Sequence, residues 1–416
     1  MKGSWSDADR RFMREALQLA ERGRGSTKPN PVVGTLLVKG GKVLARGFHR
    51  RAGLPHAEIE ALAKLGIRAK GATLYVTLEP CCHQGRTGPC TDAILRSGVR
   101  RVVVGCCDEN PLVSGRGILL LQRAGLRVDA GCLKDECHRQ NRAFFTWICK
   151  KRPWVTLKVA ATLDGCIGDR VGKRHRGSAR FITGAPARAV GHLLRAEHDA
   201  VLVGVGTVLA DNPRLTIRMG TLKGFPNPPA MVRGQQSWPA PHAIRLAQAE
   251  SKARRDPLRV VLDSHLRTHP SASLLDQPQT THPLIVGVVP AKPDRAFDIR
   301  RRRLESTGAE VVLVAPDRNG RVALPALLRL LAAREVQSLL VEGGSRIHGA
   351  FVASGLVDSV AVFLAPRLVG SGVPIVEGRG LDWRKPALLG PISVRGLGED
   401  VLLTADVVDR GQRRRL

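Results

Sequence analysis

Eight of the nine cysteines of this 416-residue chain lie before residue 150, and only Cys166 lies beyond it. The eight are Cys81, Cys82, Cys90, Cys106, Cys107, Cys132, Cys137 and Cys149. Such an asymmetry marks two halves with different chemistry and predicts a domain at 1–150 and a second at 151–416. An odd count with adjacent pairs argues against a disulfide scaffold and for reduced thiols in a cytoplasmic protein. Asp7, Asp9 and Glu15 interrupt the N-terminus and no apolar segment follows Lys2, so no export signal is expected there. No apolar run approaches the roughly 20 residues of a membrane-spanning helix. Some of these thiols are therefore expected to bind metal.

The spacing in the first half reads as a helix over 6–23 capped by Ser6. The Ser26-Thr27-Lys28-Pro29-Asn30-Pro31 loop follows, which no helix can cross. Val32–Val38 and Lys42–Phe48 form a hairpin around Gly40-Gly41. A helix follows from Pro55 to Leu65, with proline in its first turn. Thr73–Leu78, Arg101–Gly105 and Arg127–Ala130 are strands. Helices are expected from Cys81 or Thr91 and from Gly115 to Ala124. This pattern is a three-layer α/β domain.

Two fragments carry chemistry: His56-Ala57-Glu58, and Pro80-Cys81 with Cys90 nine residues on. Each lies where a strand or loop feeds a helix, and helix N-termini favour the thiolate that zinc requires. One His and two Cys make three protein ligands and leave the fourth position open, as in a catalytic zinc. Bound zinc lowers the pKa of its water to about 7, and Glu58 can face that site as the proton carrier. The bland alternative is a surface His-Ala-Glu and two core cysteines.

H-x-E followed by P-C and a second Cys resembles the zinc nucleoside and nucleobase deaminases. Those usually carry P-C-x-x-C, whereas here eight residues separate Cys81 from Cys90, with Gly85-Arg86-Thr87 in the middle. That insert resembles the deaminase half of the bifunctional riboflavin biosynthesis deaminase–reductases. So do Pro29-Asn30-Pro31-Val32-Val33-Gly34, Gly47-Phe48-His49 and Asp108-Glu109-Asn110-Pro111. Cys82 stands where that family more usually has Ser.

A basic helix and connector is expected over 138–153. Beyond it strands dominate: Trp154–Thr162, Ala200–Gly204, Leu258–Asp263, Thr281–Val288, Glu310–Val314, Ser338–Glu342 and Ser359–Ala365, with a helix over Ala185–Glu197. That is an α/β domain around a mostly parallel sheet. Glycine turns at Gly204–Gly206 and Gly343-Gly344 let backbone N–H groups approach a phosphate. The runs Lys158–Gly165, Ile182-Thr183-Gly184, Leu194–Glu197, Gly204–Pro213 and Val341–Gly344 follow the order of the family's reductase half, which resembles dihydrofolate reductase. Ala179 falls where the family often has Ser. Residues 219–257 read as an enlarged surface loop.

The resemblance implies zinc-dependent release of the 2-amino group from a phosphorylated diaminopyrimidine, then NADPH reduction of its ribosyl group to ribityl. It implies metal ligands His56, Cys81 and Cys90, the acid/base Glu58, and substrate contacts from Asn30, His49 and Arg86. In the reductase it implies Arg195, Leu215, Arg218 and Glu342 at the substrate. The cofactor would meet Ala160, Phe181, Thr207, Asp211, Ser264, Gly343, Gly344, Ser345 and Arg346. It leaves Lys158 and Asp164 open between catalytic and structural roles.

The net charge of +30 invites a nucleic-acid reading, with a deaminase of tRNA type and an accessory C-terminal module as the alternative. The excess is divided, however: 26 basic against 13 acidic residues up to 150, and 40 against 23 after it. An excess without a basic stripe suits phosphorylated small molecules, so we expect no specific nucleic-acid partner, no membrane partner, and a homo-oligomer. A non-catalytic scaffold would be expected to lose Glu58 or a ligand, and all are present.

Overall fold

The first helix, α1 (Asp7–Ala20), starts at Ser6, whose Oγ accepts the Asp9 N–H at 3.1 Å, and buries Phe12, Met13, Ala16 and Ala20. The hairpin β1 (Gly34–Lys39) and β2 (Lys42–Phe48) turns at Gly40 (φ +56°) and Gly41 (φ +75°). Both values lie in the left-handed region that a two-residue hairpin turn requires. After α2 (Ala57–Ala63) come β3 (Thr73–Leu78), α3 (Cys90–Arg96), β4 (Arg101–Cys106), α4 (Arg116–Arg123) and β5 (Arg127–Ala130). The chain then runs through α5 (Lys134–Gln140) and α6 (Arg142–Lys150). The sheet order is β2-β1-β3-β4-β5, with β1 antiparallel to both neighbours and β3, β4 and β5 parallel. Alternation of side chains sends Leu36, Tyr75 and Val103 to one face with Phe12, Met13 and Phe145. It sends Leu37, Leu74 and Val102 to the other with Ile94 and Leu121.

This computed structural model describes residues 5–84, 88–169, 181–218, 256–276, 281–378 and 380–408. The chain forms two compact units, Met1–Arg152 and Pro153–Leu416. In the second, β6 (Trp154–Thr162), β7 (Cys166–Gly168), α7 (Ala185–Glu197), β8 (Ala200–Gly204) and α8 (Val205–Asp211) lead to β9 (Leu258–Leu262) and β10 (Leu284–Val288). Next come α9 (Arg295–Glu305), β11 (Glu310–Val314), α10 (Leu324–Ala333), β12 (Ser338–Gly343), α11 (Ser345–Ala353) and β13 (Ser359–Ala365). The short β14 (Val373–Pro374) and β15 (Leu388–Leu389) precede the closing hairpin of β16 (Ser393–Leu397) and β17 (Asp400–Val408). The sheet order is β11-β10-β9-β8-β12-β6-β13-β17-β15, parallel from β11 to β13 and antiparallel at β17. Apolar clusters cover both faces, which is why β8 and β10 are buried at every residue.

Several expectations need correction. Pro55 lies before the helix rather than in its first turn, since His56 is the N-cap of α2. Cys81 starts no helix; it sits in the loop after β3, and Cys90 heads α3. The single basic helix expected over 138–153 is divided at Asn141. There the side chain leaves the helical ladder to bridge Val32, accepting its N–H and donating to its carbonyl, both at 2.9 Å. Helices α9, α10 and α11 and strands β7 and β14 to β17 add to the elements read from the sequence. Arg86, Ser178 and Ala179 lie outside the described residues, as does nearly all of the 219–257 loop. Among the described residues, no helix is long and apolar enough to cross a membrane.

Candidate active sites

In the first unit the residues flanking β1, β2 and β3, the start of α2, the loop after β4 and helix α6 surround a cavity of about 350 Å³. His56 enters as the N-cap of α2, so Glu58 falls in that helix's first turn, buried and lining the cavity. The His56 Nδ1 lies 3.2 Å from Cys90 Sγ and 3.5 Å from Cys81 Sγ, and the three donor atoms all lie within 4.8 Å of one another. The Cys90 N–H, at the head of α3, donates to Cys81 Sγ at 3.4 Å, the support for a thiolate that a helix N-terminus gives. The Cys90 hydrogen bond and His56 together lower the Cys81 thiol to about 4 against burial, while Cys81 and burial push Cys90 well up. One negative charge is thus shared by two sulfurs. Burial, with the charge on Cys81, raises the Glu58 carboxyl to about 7.

His49 is buried, and burial lowers its pKa, so it is neutral. Its Nδ1 lies 3.2 Å from the Pro55 carbonyl, which only accepts, so Nδ1 carries the proton and Nε2 accepts from Asn30 Nδ2 at 3.1 Å. Asn30 and His49 are therefore one unit of the cavity wall.

In the second unit the polar cluster is built from β6, α7 and β12. Arg195 grips Glu342 with Nε at 2.5 Å and Nη2 at 2.8 Å, and its Nη1 donates to the Thr216 carbonyl at 3.1 Å. Lys158 Nζ approaches Glu342 at 3.8 Å and lies over the Phe363 ring. Burial would raise Glu342, but Arg195 and Lys158 overcome it and hold the carboxyl at about 2. Burial lowers Lys158, and burial with Arg195 and Arg218 nearby lowers His192 to about 4. Arg195, expected at the phosphorylated substrate, thus spends three of its five N–H groups within the chain. The side chain of Leu215, expected at the same substrate, is buried in the apolar core.

The two glycine turns meet. β8 and β12 are neighbours, and a Cβ on Gly343 would stand 3.0 Å from Thr207 Oγ1, one on Gly344 3.3 Å from it. Ser345 Oγ donates to Glu377 at 2.9 Å, and Arg346 pairs with the same carboxylate at 3.5 Å. Ala160 packs beside the core, Phe181 is exposed with Arg188 over its ring, and Asp211 ends α8. Ser264 Oγ accepts the Val322 N–H at 3.3 Å. Asp164 serves structure: its carboxylate accepts the N–H groups of Val369 and Gly370, at 3.0 and 2.6 Å, and so holds that loop.

Residues 6–106 match the family model of the cytidine and deoxycytidylate deaminase zinc-binding region, and residues 153–403 that of the RibD C-terminal domain. The riboflavin biosynthesis protein RibD of Aquifex aeolicus is 38% identical over 397 residues, covering 95% of this chain and 98% of that protein. RibD of Escherichia coli is 37% identical over 375 residues, 90% of each. The solved structure of Acinetobacter baumannii RibD (form 1) matches with a TM-score of 0.76 at 32% identity, over 97% of this chain and 99% of that one. A deaminase/reductase structure from Thermotoga maritima matches at 0.75 and 32%, over 96% and 99%. The chain belongs to the RibD family.

As a RibD-family enzyme it is a bifunctional deaminase and reductase of riboflavin biosynthesis, with a cytidine-deaminase-like first domain and a dihydrofolate-reductase-like second. Zinc and NADPH are its cofactors. The residues present fit both. A tetrahedral zinc with about 2.3 Å to sulfur and about 2.0–2.1 Å to nitrogen separates its donors by roughly 3.5–3.8 Å, close to the His56–Cys81 and His56–Cys90 distances. A divalent cation would also resolve the charge shared by the two sulfurs, since a coordinated thiol is deprotonated outright. For the nucleotide, β12 inserts between β6 and β8, and the carboxyl end of such a strand is where α/β sheets bind such ligands. A Cβ at Gly343 or Gly344 would crowd Thr207 Oγ1 there, so the glycines leave the backbone of this turn open to a close approach.

Some residues of the first cavity escaped the site reading. Asp108 and Asn110, from the loop after β4, line the first cavity, and burial raises the Asp108 carboxyl to about 6. The Asp108–Pro111 run was visible as a motif, without a role. His83, Phe144, Trp147 and Ile148 also line it; the last three come from α6, and nothing in their local spacing distinguishes a cavity wall from an ordinary core.

Proposed function

We propose that the first unit deaminates diaminohydroxyphosphoribosylaminopyrimidine and the second reduces 5-amino-6-(5-phosphoribosylamino)uracil, the two substrates in the name of the Thermotoga maritima relative. The observation that carries this reading is the grouping of His56, Cys81 and Cys90 beside a buried Glu58, at a cavity that His56, Cys81 and Glu58 line. His56, Cys81 and Cys90 would hold the zinc, which supplies an activated water for attack on the ring carbon. Glu58 takes the proton of that water and delivers it to the ring nitrogen and then to the departing amine. A carboxyl at about 7 both accepts and releases a proton near neutral pH. Asn30 gives one Nδ2 hydrogen to His49, which leaves its Oδ1 and its second N–H for the pyrimidine edge. Cavity walls of Val33, Leu78 and Phe144 exclude water around the ring.

In the second unit Lys158, Glu342 and Arg195 line the substrate side, and NADPH supplies the hydride to the ribose carbon, opening the sugar. Thr207, Gly343, Gly344, Ser345 and Arg346 would hold the nicotinamide nucleotide, with Ala160, Phe181, Asp211 and Ser264 around it. Arg218 is the cation we assign to the substrate phosphate; Arg195 and Arg214 lie close enough to depress it after burial does, a concentration of positive charge that suits a phosphate. All nine cysteines are free thiols, which supports a reducing, cytoplasmic setting.

The test is turnover of the diaminopyrimidine with ammonia and NADPH oxidation followed separately, together with metal analysis. Ammonia release without NADPH, and NADPH oxidation only after it, is the expected result. A chain that consumes NADPH but releases no ammonia, with zinc bound, would overturn the assignment of the first unit.

A further inference from the structure

Glu79 lies at the end of β3, two residues before Cys81, with its side chain buried and four backbone N–H groups aimed at it. Oε2 accepts from Asp108 at 3.1 Å and Gly115 at 2.9 Å; Oε1 accepts from Gly117 at 2.9 Å and Ile118 at 3.2 Å. Gly115 is the N-cap residue of α4, whose own side chain can offer no cap. Glu79 therefore caps that helix from a distant strand, placing an acidic group where the helix leaves its N–H groups without partners.

The same carboxylate reaches the substrate side. Asp108 hangs from Oε2 by its N–H and turns its own Oδ1 to the Asn110 N–H at 2.8 Å, and Asp108 and Asn110 both line the deaminase cavity. The Glu79 N–H donates to the Cys106 carbonyl at 3.0 Å, which ties the ends of β3 and β4 together just before the loop departs. Gly117 is required here, because a Cβ would come within 2.1 Å of the Pro80 carbonyl. Among the described residues, every hydrogen-bond partner of this carboxylate lies between Asp108 and Ile118, and none belongs to the segment that carries Cys81 and Cys90.

We propose that Glu79 is a positioning residue of the deaminase: it fixes the Asp108–Asn110 wall of the cavity against the strand end, and acts on substrate through that wall rather than through the zinc. The inference rests on the deaminase reading above. In Glu79→Gln the shape is retained, but the amide NH2 faces N–H donors, leaving part of the set unpaired in a buried place.

The experiment uses the full chain and compares the unaltered protein, Glu79→Gln, Asp108→Asn and the double variant. Glu79→Gln is expected to keep its zinc and its reductase activity. Its KM for the diaminopyrimidine should rise about 10- to 100-fold, the scale of losing a hydrogen bond to a charged group, with a smaller change in kcat. Asp108→Asn should add little in the Glu79→Gln background, because the two act in series. Independent, multiplying effects of the two substitutions would overturn the proposal, as would zinc loss from Glu79→Gln or an unchanged KM. Should Glu79→Gln fail to accumulate, Glu79→Asp keeps the carboxylate but withdraws it by one methylene and reads the same cycle. An unaltered chain that releases no ammonia would instead defeat the underlying function.

Discussion

The two units bury titratable groups in opposite ways. In the first, Glu58 is raised to about 7, Asp108 to about 6, and His49 is kept neutral, so burial wins and the groups stand largely without counter-charges. In the second, Glu342 is held at about 2 by Arg195 and Lys158, so pairing wins over burial. The first arrangement is poised for a cation and a proton transfer, and its charge balance is completed from outside the chain. The second is completed by the chain itself, through the Glu342–Arg195 and Glu342–Lys158 pairs. Proton transfer needs a group that can exist in both states near neutral pH, whereas hydride transfer to a charged, phosphorylated substrate needs fixed orientation.

The largest effect that could break this comparison is removal of a ligand. Cys90→Ser should lose zinc and all ammonia release while NADPH oxidation on pre-deaminated substrate continues; Cys82→Ser should keep the metal, as elemental analysis would show. Zinc loss from Cys82→Ser with retention in Cys81→Ser would reassign the cluster.

Next, Glu58→Gln should keep zinc and lower deamination by about 10²–10⁴-fold, the usual worth of a positioned acid/base, with reduction intact. Loss of both activities in a folded variant would mean that the two sites are not separate.

A contrast of stability comes third. Arg195→Met leaves Glu342 buried with only the more distant Lys158, and breaking a buried pair costs about 3–5 kcal/mol. Denaturant unfolding of the second unit should show that loss and the first unit should not. A change below about 1 kcal/mol would show that water reaches Glu342 freely.

The smallest effect is the pH dependence of unfolding in metal-free protein. Glu342 has a folded pKa below its ordinary 4.5, so its contribution is present above about 4.5 and is lost as pH falls toward 2. Glu58 has a folded pKa above 4.5, so its contribution is present below about 4.5 and is lost as pH rises toward 7. Subtracting the curves of Glu342→Gln and Glu58→Gln from the unaltered protein should give opposite slopes. Slopes of the same sign would remove the distinction between the two units.

Much of the frame was legible locally. β3, β5, β6, β8, β11, β13 and α7 begin and end where spacing and turn residues place them, because each is a short apolar run or a helical stripe bounded by polar or glycine punctuation. The convergence of His56, Cys81 and Cys90 beside Glu58 was legible too, since such donors fall on chain segments that can converge. Motif order sufficed for the glycine turns. Asn141 was not legible as a break between α5 and α6, because its role is a bond to Val32, 109 residues earlier.

What the sequence alone determined is therefore the set of chemical groups and the elements that carry them: His56, Cys81, Cys90, Glu58, and two α/β domains. What only the tertiary structure decided is which partner each polar group takes. Arg195 is one more arginine of a basic chain in sequence, and only the fold pairs it with Glu342, 147 residues away. Glu79 is one more acidic residue beside a cysteine until α4 brings its N–H groups to the carboxylate. The reason is that propensity and periodicity act over a few residues, whereas a buried charge must find its counterpart wherever the fold supplies one.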